Sequence, residues 1–121
     1  MSTATNLPYA DKATAFAQAL VEQRYNDAHA MLTRNLRSNI SSDDLRTEYE
    51  TMVEYGTGPV KVDGYIHTME DWPAKQPNDA GWVYVSISGE DFAEAVTVVV
   101  TVVVSAEGNE LKIRDIEWGR P

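Results

Sequence analysis

The two histidines are the side chains best suited to proton transfer, because imidazole titrates near neutral pH. His67 lies two residues from Tyr65 and four from Asp63, so on an extended strand the three side chains would share one face. A carboxylate, a phenol and an imidazole on one face could carry out general acid–base catalysis. Val62 and Ile66 would then face the core, which favours a solvated or interfacial position for the other three.

His29 and Asp115 are the other candidates for acid–base chemistry. His29 lies beside the apolar stripe of a predicted helix, where it could enter the mouth of a pocket or only cover the helix edge. Asp115 and Glu117 alternate on a predicted strand, and one of them, turned inward, would be a candidate general base. Exposed cross-strand ion pairs with Lys112 or Arg114 are the more usual role of such acids.

Aromatic side chains are the clearer indication of a binding site. Tryptophan and tyrosine bury a large apolar area and also offer one polar group to a ligand. A mainly apolar pocket with a few polar groups is typical of small-molecule sites, although aromatics also simply fill small cores. The aromatic residues that could line one cavity are Tyr49, Trp82, Tyr84, Phe92 and Trp118.

Several classes of chemistry are excluded by residue type. The chain has no cysteine, which excludes disulfides, thiolate metal sites and a cysteine nucleophile. The sequence also lacks serine-nucleophile motifs, phosphate-binding loops and dinucleotide fingerprints. We therefore predict no catalytic residue, no metal and no cofactor.

Net charge separates the possible partners. With 19 acidic and 10 basic residues the chain carries a charge of −9, which repels nucleic acid and anionic membranes. Such a surface attracts a basic protein, although it can also serve only solubility. The longest apolar run, Val98–Val104, is too short to span a bilayer as a helix. The first residues show no signal-peptide pattern, and we predict a cytoplasmic protein.

Apolar residues recur at spacings of three and four in the first half of the chain, which predicts three helices. The first runs from about Pro8 to Arg24 and the second from about Asn26 to Leu36. The third begins at a capping box, in which the Ser41 hydroxyl and the Asp44 carboxylate each bond the other residue's backbone N–H. The segment Gly56–Pro59 predicts its end, with a glycine supplying the left-handed cap and the proline blocking continuation.

After Pro59 the hydrophobic period changes to two, which predicts an antiparallel sheet of about four strands. The strands are expected at about 60–68, 81–88, 92–106 and 111–118. The third, with its run of valines, must be central and covered, because an exposed strand of this kind would aggregate. Helices followed by strands predict an α+β domain over residues 8–121, preceded by a flexible N-terminus at 1–7.

The last strand has a broken apolar pattern. Leu111 and Ile113 lie at odd-numbered positions, whereas Ile116 and Trp118 lie at even-numbered ones, so on a regular strand the two pairs would face opposite sides. A β-bulge near Arg114–Asp115 would place all four side chains on one face.

Three helices followed by a long valine strand and a closing strand resemble the NTF2-like (SnoaL-like, cystatin-like cone) superfamily. The resemblance rests on Phe16–His29, on the valine strand paired across Gly108, and on Leu111–Trp118. It implies three N-terminal helices packed on the concave face of a curved, mainly antiparallel four-stranded sheet. It also implies a homodimer formed through the open face of the sheet. The Tyr–Asp oxyanion pair and Asp base of the ketosteroid isomerase branch have no clear equivalent, so that activity is not implied.

The superfamily includes enzymes, transport adaptors and immunity proteins, so the resemblance implies a pocket or an interface and no particular chemistry. We expect non-enzymatic binding of a protein partner or a small apolar ligand. One alternative is a small SnoaL-like enzyme of the isomerase, dehydratase or cyclase type. Another is a toxin-neutralising immunity protein whose acidic surface covers a basic active site. The candidate pocket residues are Tyr49, Trp82, Tyr84, Trp118, His29 and Asp115.

Overall fold

The change of hydrophobic period at Pro59 divides the helices from the sheet. The structure is a computed structural model that describes residues 7–54, 56, 59–106 and 108–119, so the predicted flexible N-terminus lies outside the described residues except for Leu7. Within these residues, an antiparallel sheet of four strands paired in chain order follows four helices, which confirms the α+β class. The elements are α1 (Pro8–Val21), α2 (Tyr25–Ala30), α3 (Arg34–Asn39), α4 (Ser42–Val53), β1 (Lys61–Met69), β2 (Asp79–Ser88), β3 (Ala93–Ser105) and β4 (Gly108–Trp118).

Helix α1 lies across all four strands and carries much of the helical side of the core. Its buried face combines Phe16 and Leu20 with several alanines, whose small side chains let the helix approach the sheet closely. The helix ends where Gln23 takes a left-handed conformation with φ 63°. There the Arg24 N–H donates to the Ala19 carbonyl at 2.7 Å, which satisfies one of the last helical carbonyls.

The second predicted helix is wrong as a single element, because α2 and α3 are separate, and the described part of the chain forms four helices rather than three. Between them, Met31 and Thr33 bond the edge of β4 on both sides of Leu32. The Thr33 N–H donates to the Ile113 carbonyl at 2.8 Å, and the Ile113 N–H donates to the Met31 carbonyl at 2.9 Å. The Thr33 hydroxyl then caps α3 by accepting from the Leu36 N–H at 3.2 Å.

The predicted capping box at the start of α4 is confirmed. The Asp44 N–H donates to the Ser41 hydroxyl at 3.1 Å, and the Ser41 N–H donates to the Asp44 carboxylate at 2.9 Å. At the other end, the predicted left-handed cap does not form at Gly56, which is absent from the described glycines with positive φ. Gly56 instead lies against Phe92, where a Cβ would be 2.0 Å from the ring. The rest of the predicted cap falls outside the described residues.

The predicted bulge in β4 is confirmed by its register with β3. Ile113 lies opposite Val100 and Asp115 opposite Val99, which leaves Arg114 without a partner in the ladder. As a result the four apolar residues of β4 all pair with even-numbered valines of β3, and three of these valines, Val96, Val98 and Val100, belong to the buried core. The pairs are Leu111 with Val102, Ile113 with Val100, Ile116 with Val98, and Trp118 with Val96.

Strand β1 departs from simple alternation, because its register with β2 shifts twice. Tyr65 lies opposite the buried Val85, whereas His67 lies opposite Tyr84, whose side chain points away from the helices. The prediction that Asp63, Tyr65 and His67 share one strand face is therefore wrong. Each bulge adds one residue to the strand, so the side chains after it lie on the opposite face of the sheet from the one that simple alternation predicts.

The helices cover one face of the curved sheet, and the core lies between the two layers. Its largest fully buried side chains are contributed by α1, the α2–α3 connection, α4 and the three strands β2, β3 and β4. No helix within the described residues is long and apolar enough to cross a membrane.

Candidate ligand groove

The six predicted pocket residues lie in three regions of the fold. Asp115 and Trp118 line a groove between α3, α4 and β4, and His29 borders a depression beside it. Tyr49 lies in another depression, near the end of α1. Trp82 and Tyr84 lie on the face of the sheet that the helices leave uncovered.

The groove is an open cavity of about 350 Å³ with an apolar floor. Two short sequence patterns explain how parts of its wall are positioned. Ile40 and Leu45 flank the capping box in the positions of a hydrophobic staple, and the β4 bulge brings Ile116 and Trp118 to the helical side of the sheet. The apolar residues lining the groove are Leu36, Ile40, Leu45, Ile116 and Trp118.

The rim of the groove carries three carboxylates. Asp44 and Glu48 are four residues apart on α4 and so lie on one side of the helix, and Asp115 approaches from β4. One oxygen of Asp44 accepts from the Ser41 N–H, and one oxygen of Asp115 accepts from the Ile116 N–H at 3.0 Å. The second oxygen of each, and both oxygens of Glu48, bond no other described residue. The described residues that line the groove include no lysine, arginine or histidine.

His29 is held by the chain at the side of the groove. Its Nε2 lies 2.8 Å from the Ile40 carbonyl oxygen, and since a carbonyl only accepts, this nitrogen carries the proton and donates. The neighbouring depression of about 380 Å³ shares Ile40 and Asp44 with the groove. His29 therefore holds Ile40, which lines the groove, and its Nε2 is not free to bond a ligand.

Tyr49 is buried away from the groove, with its ring centroid 6.4 Å from that of Tyr25. Burial raises the pKa of Tyr49 to about 12, and the neighbouring Tyr25 adds to the shift. The phenol therefore stays protonated at neutral pH. It lines a depression of about 400 Å³ formed with residues of α1, α4 and the segment before β1.

Trp82 and Tyr84 form an aromatic cluster with His67 on the uncovered face of the sheet. Ring centroids are 5.7 Å apart between His67 and Trp82 and 6.5 Å apart between Trp82 and Tyr84. Thr97, opposite Tyr84 on β3, is only 2% exposed, and its buried hydroxyl bonds no described residue. We call the surface formed by His67, Trp82, Tyr84, Thr97 and Val99 the outer sheet face.

The predicted acid–base candidates do not meet. His29 is tied to the α3–α4 connection, Tyr49 lies in a separate depression, and Asp115 lies at the groove rim. Among the described residues no group of three or more histidine, cysteine, aspartate and glutamate side chains is placed to hold a metal ion.

Asp115 and Trp118 are predicted from the sequence as pocket residues, whereas the other groove residues are not. Leu36 and Leu45 are apolar helix residues with the spacing of ordinary core positions, and Asp44 already had a local role as a cap. The only available signal was the pair of acids at positions 44 and 48, next to apolar residues on the same helix.

Comparisons with protein-family models, with curated proteins and with solved structures found no match. The resemblance to the NTF2-like superfamily, including its cone arrangement, therefore stays a prediction.

Proposed function

We propose that this chain is a non-enzymatic binding domain that holds a small apolar ligand in the groove between α3, α4 and β4. The observation that carries the proposal is the cavity of about 350 Å³ with five apolar side chains in its lining. Pockets for small molecules span roughly 300–1,000 Å³, so this groove suits a ligand of one or two rings.

The filling of the interior supports binding rather than catalysis. Fully buried side chains occupy the space between helices and sheet, among them Phe16, Leu32, Val83, Val85, Val96, Val98 and Val100. A SnoaL-like enzyme would need a closed cavity in which a base and an acid meet the substrate. The described acid–base candidates instead lie apart, and the groove is open to solvent.

The test is an NMR titration of isotope-labelled protein with naphthylethanol, an uncharged ligand with an apolar body. We expect the largest amide shifts at Leu36, Leu45 and Ile116, because these residues line the groove. Ile116→Thr should lower the affinity several-fold, whereas Ile66→Thr should not, since Ile66 is 68% exposed on β1. Shifts confined to residues outside the groove, or no saturable shifts, would overturn the proposal.

A specific observation also favours a protein partner, namely a second copy of this chain bound through the outer sheet face. The centre of this face is uncharged, whereas the chain as a whole carries −9. Asp115 and Glu117 of β4 lie opposite Val99 and Thr97 and border this centre, so the contact is confined to the aromatic cluster, which offers its apolar area. The buried, unpartnered hydroxyl of Thr97 lies on the same face.

Sedimentation of the wild type and two variants tests the homodimer. Trp82→Glu should give a monomer, because it places a charge at the centre of the contact, while Ile66→Glu adds the same charge at an exposed site on β1. A wild type that sediments as a monomer at high concentration would reject the homodimer. A basic protein partner, as in the toxin-neutralising alternative, would instead show binding that weakens steeply with salt.

A further inference from the structure

The groove has a strongly one-sided charge pattern, which its apolar floor does not explain. Asp44 and Glu48 of α4 and Asp115 of β4 all line it, and no basic residue lies among the described lining. Like charges four residues apart on a helix are unfavourable unless a cation balances them. The arginine beside Asp115, Arg114, also interacts with it electrostatically, but Arg114 bonds Asp79 and is not among the groove residues.

Unused hydrogen-bond acceptors add to this asymmetry. One oxygen each of Asp44 and Asp115 is occupied by a backbone N–H, but the other oxygens and the Glu48 carboxylate bond no described residue. An ammonium group has three donors and no acceptor, so it complements such a rim. Trp118, which also lines the groove, adds an aromatic ring of the kind that attracts cations.

We propose that the ligand of the groove is a small protonated amine with an apolar body, the body lying on the floor and the ammonium group among the three rim carboxylates. This inference rests on the proposed function, because it specifies the ligand class of the same cavity. The apolar floor selects against small hydrophilic cations, and the acidic rim selects against carboxylates and phosphates. A neutral ligand of the same shape would gain only the contacts of the floor.

Three ligands with one apolar body separate the contributions: naphthylethylamine, naphthylethanol and naphthylpropanoate. In NMR titrations at about 0.01 M salt, where charges are weakly screened, we expect the amine to bind about two- to ten-fold more tightly than the alcohol. The propanoate should bind most weakly. Raising the salt to about 1 M should remove the advantage of the amine and leave the alcohol unchanged.

A pair of matched variants tests whether the rim itself is responsible. Glu48→Gln should weaken amine binding about two- to five-fold and leave alcohol binding unchanged, because it removes one rim charge and keeps the side-chain shape. Glu54→Gln is the control, since Glu54 is an exposed residue that caps the end of α4 and does not line the groove. Both variants change the net charge by the same amount.

The outcomes separate this inference from the proposed function. If the alcohol binds in the groove but the amine binds no more tightly, the amine inference fails and the apolar-ligand proposal stands. If both variants weaken amine binding equally, the effect comes from overall charge and the inference fails. If neither ligand shifts the groove amides, both proposals fail.

Discussion

Arg114 and Asp79 form a buried ion pair that ties the β4 bulge to the first residue of β2. The Arg114 Nε donates to Asp79 Oδ1 at 2.7 Å, and Nη2 donates to Oδ2 at 2.6 Å. The Asp79 side chain has no exposed area and that of Arg114 is 20% exposed. The Gln76 N–H also donates to Oδ2 at 2.8 Å, so the carboxylate is bonded on both oxygens.

Arg114→Met should therefore strongly destabilise the protein. It keeps most of the apolar stem but leaves the Asp79 carboxylate buried without its cation. Removing one partner of a buried pair costs about 3–5 kcal/mol, and we expect the lower end here because the Gln76 N–H remains. Such a loss is a large part of the roughly 5–15 kcal/mol that stabilises a domain. Urea unfolding followed by tryptophan fluorescence at neutral pH measures it.

Arg24→Met is the matched control. Arg24 also bonds two carboxylates, those of Glu22 and Asp27, but the three side chains are 46%, 48% and 61% exposed. Water and salt screen such pairs, so this variant should lose far less stability than Arg114→Met. Equal losses in the two variants would refute the argument that burial decides the contribution of the ion pair.

The same pair predicts a pH dependence. Burial by itself would raise the pKa of Asp79, but hydrogen bonds from Arg114, from the Gln76 N–H and from Thr101 outweigh it and hold the pKa below its usual value. A lowered folded-state pKa gives stability that is present above the unfolded pKa of about 3.9 and is lost as pH falls through the folded pKa. The stability difference between wild type and Arg114→Met should therefore narrow below about pH 4. A difference that stayed constant down to pH 3 would contradict this.

Two further predictions concern the contact between Gly81 of β2 and Tyr9 of α1, and the cap at the start of α4. A Cβ at Gly81 would lie 2.3 Å from the Tyr9 ring, so Gly81→Ala should lower the free energy of unfolding by about 1–3 kcal/mol, and by less in a Tyr9→Leu background. Chemical denaturation of the four proteins gives the coupling, and additive losses would show that the contact is not responsible. Ser41→Ala should cost about 1 kcal/mol because it removes the hydroxyl that caps the Asp44 N–H. Ser38→Ala is the control, because the exposed Ser38 hydroxyl bonds only within α3, and it should change the melting temperature little. A Ser41→Ala variant that lowers the melting temperature no more than Ser38→Ala would count against the capping box.

Local signals predicted much of the fold. The start of α4 follows from a capping box whose partners are three residues apart, and the β4 bulge follows from the parity change between Ile113 and Ile116. The predicted β2, β3 and β4 strands lie within three residues of the observed boundaries, because alternation and turn residues are local features. The sequence also placed Asp115 and Trp118 among the pocket candidates, and the structure brings these two together in one groove.

Contacts between distant residues decided the rest. The break between α2 and α3 depends on hydrogen bonds from Met31 and Thr33 to Ile113, some eighty residues away, which local helix spacing does not reveal. The two bulges of β1 separate Tyr65 from His67 through pairing with β2. Gly56 serves close contact with Phe92 rather than a left-handed turn.

By itself, the sequence determined the α+β class, most element positions, the acidic charge and the absence of cysteine chemistry, because residue type and short spacing fix these properties. Only the tertiary structure decided which residues form a site. Leu36, Leu45 and Ile116 look like ordinary core positions along the chain, and they become the floor of a groove because α3, α4 and β4 leave space between them. The acids at its rim come from two elements far apart in sequence, so their common charge becomes a feature of one site only when the chain folds.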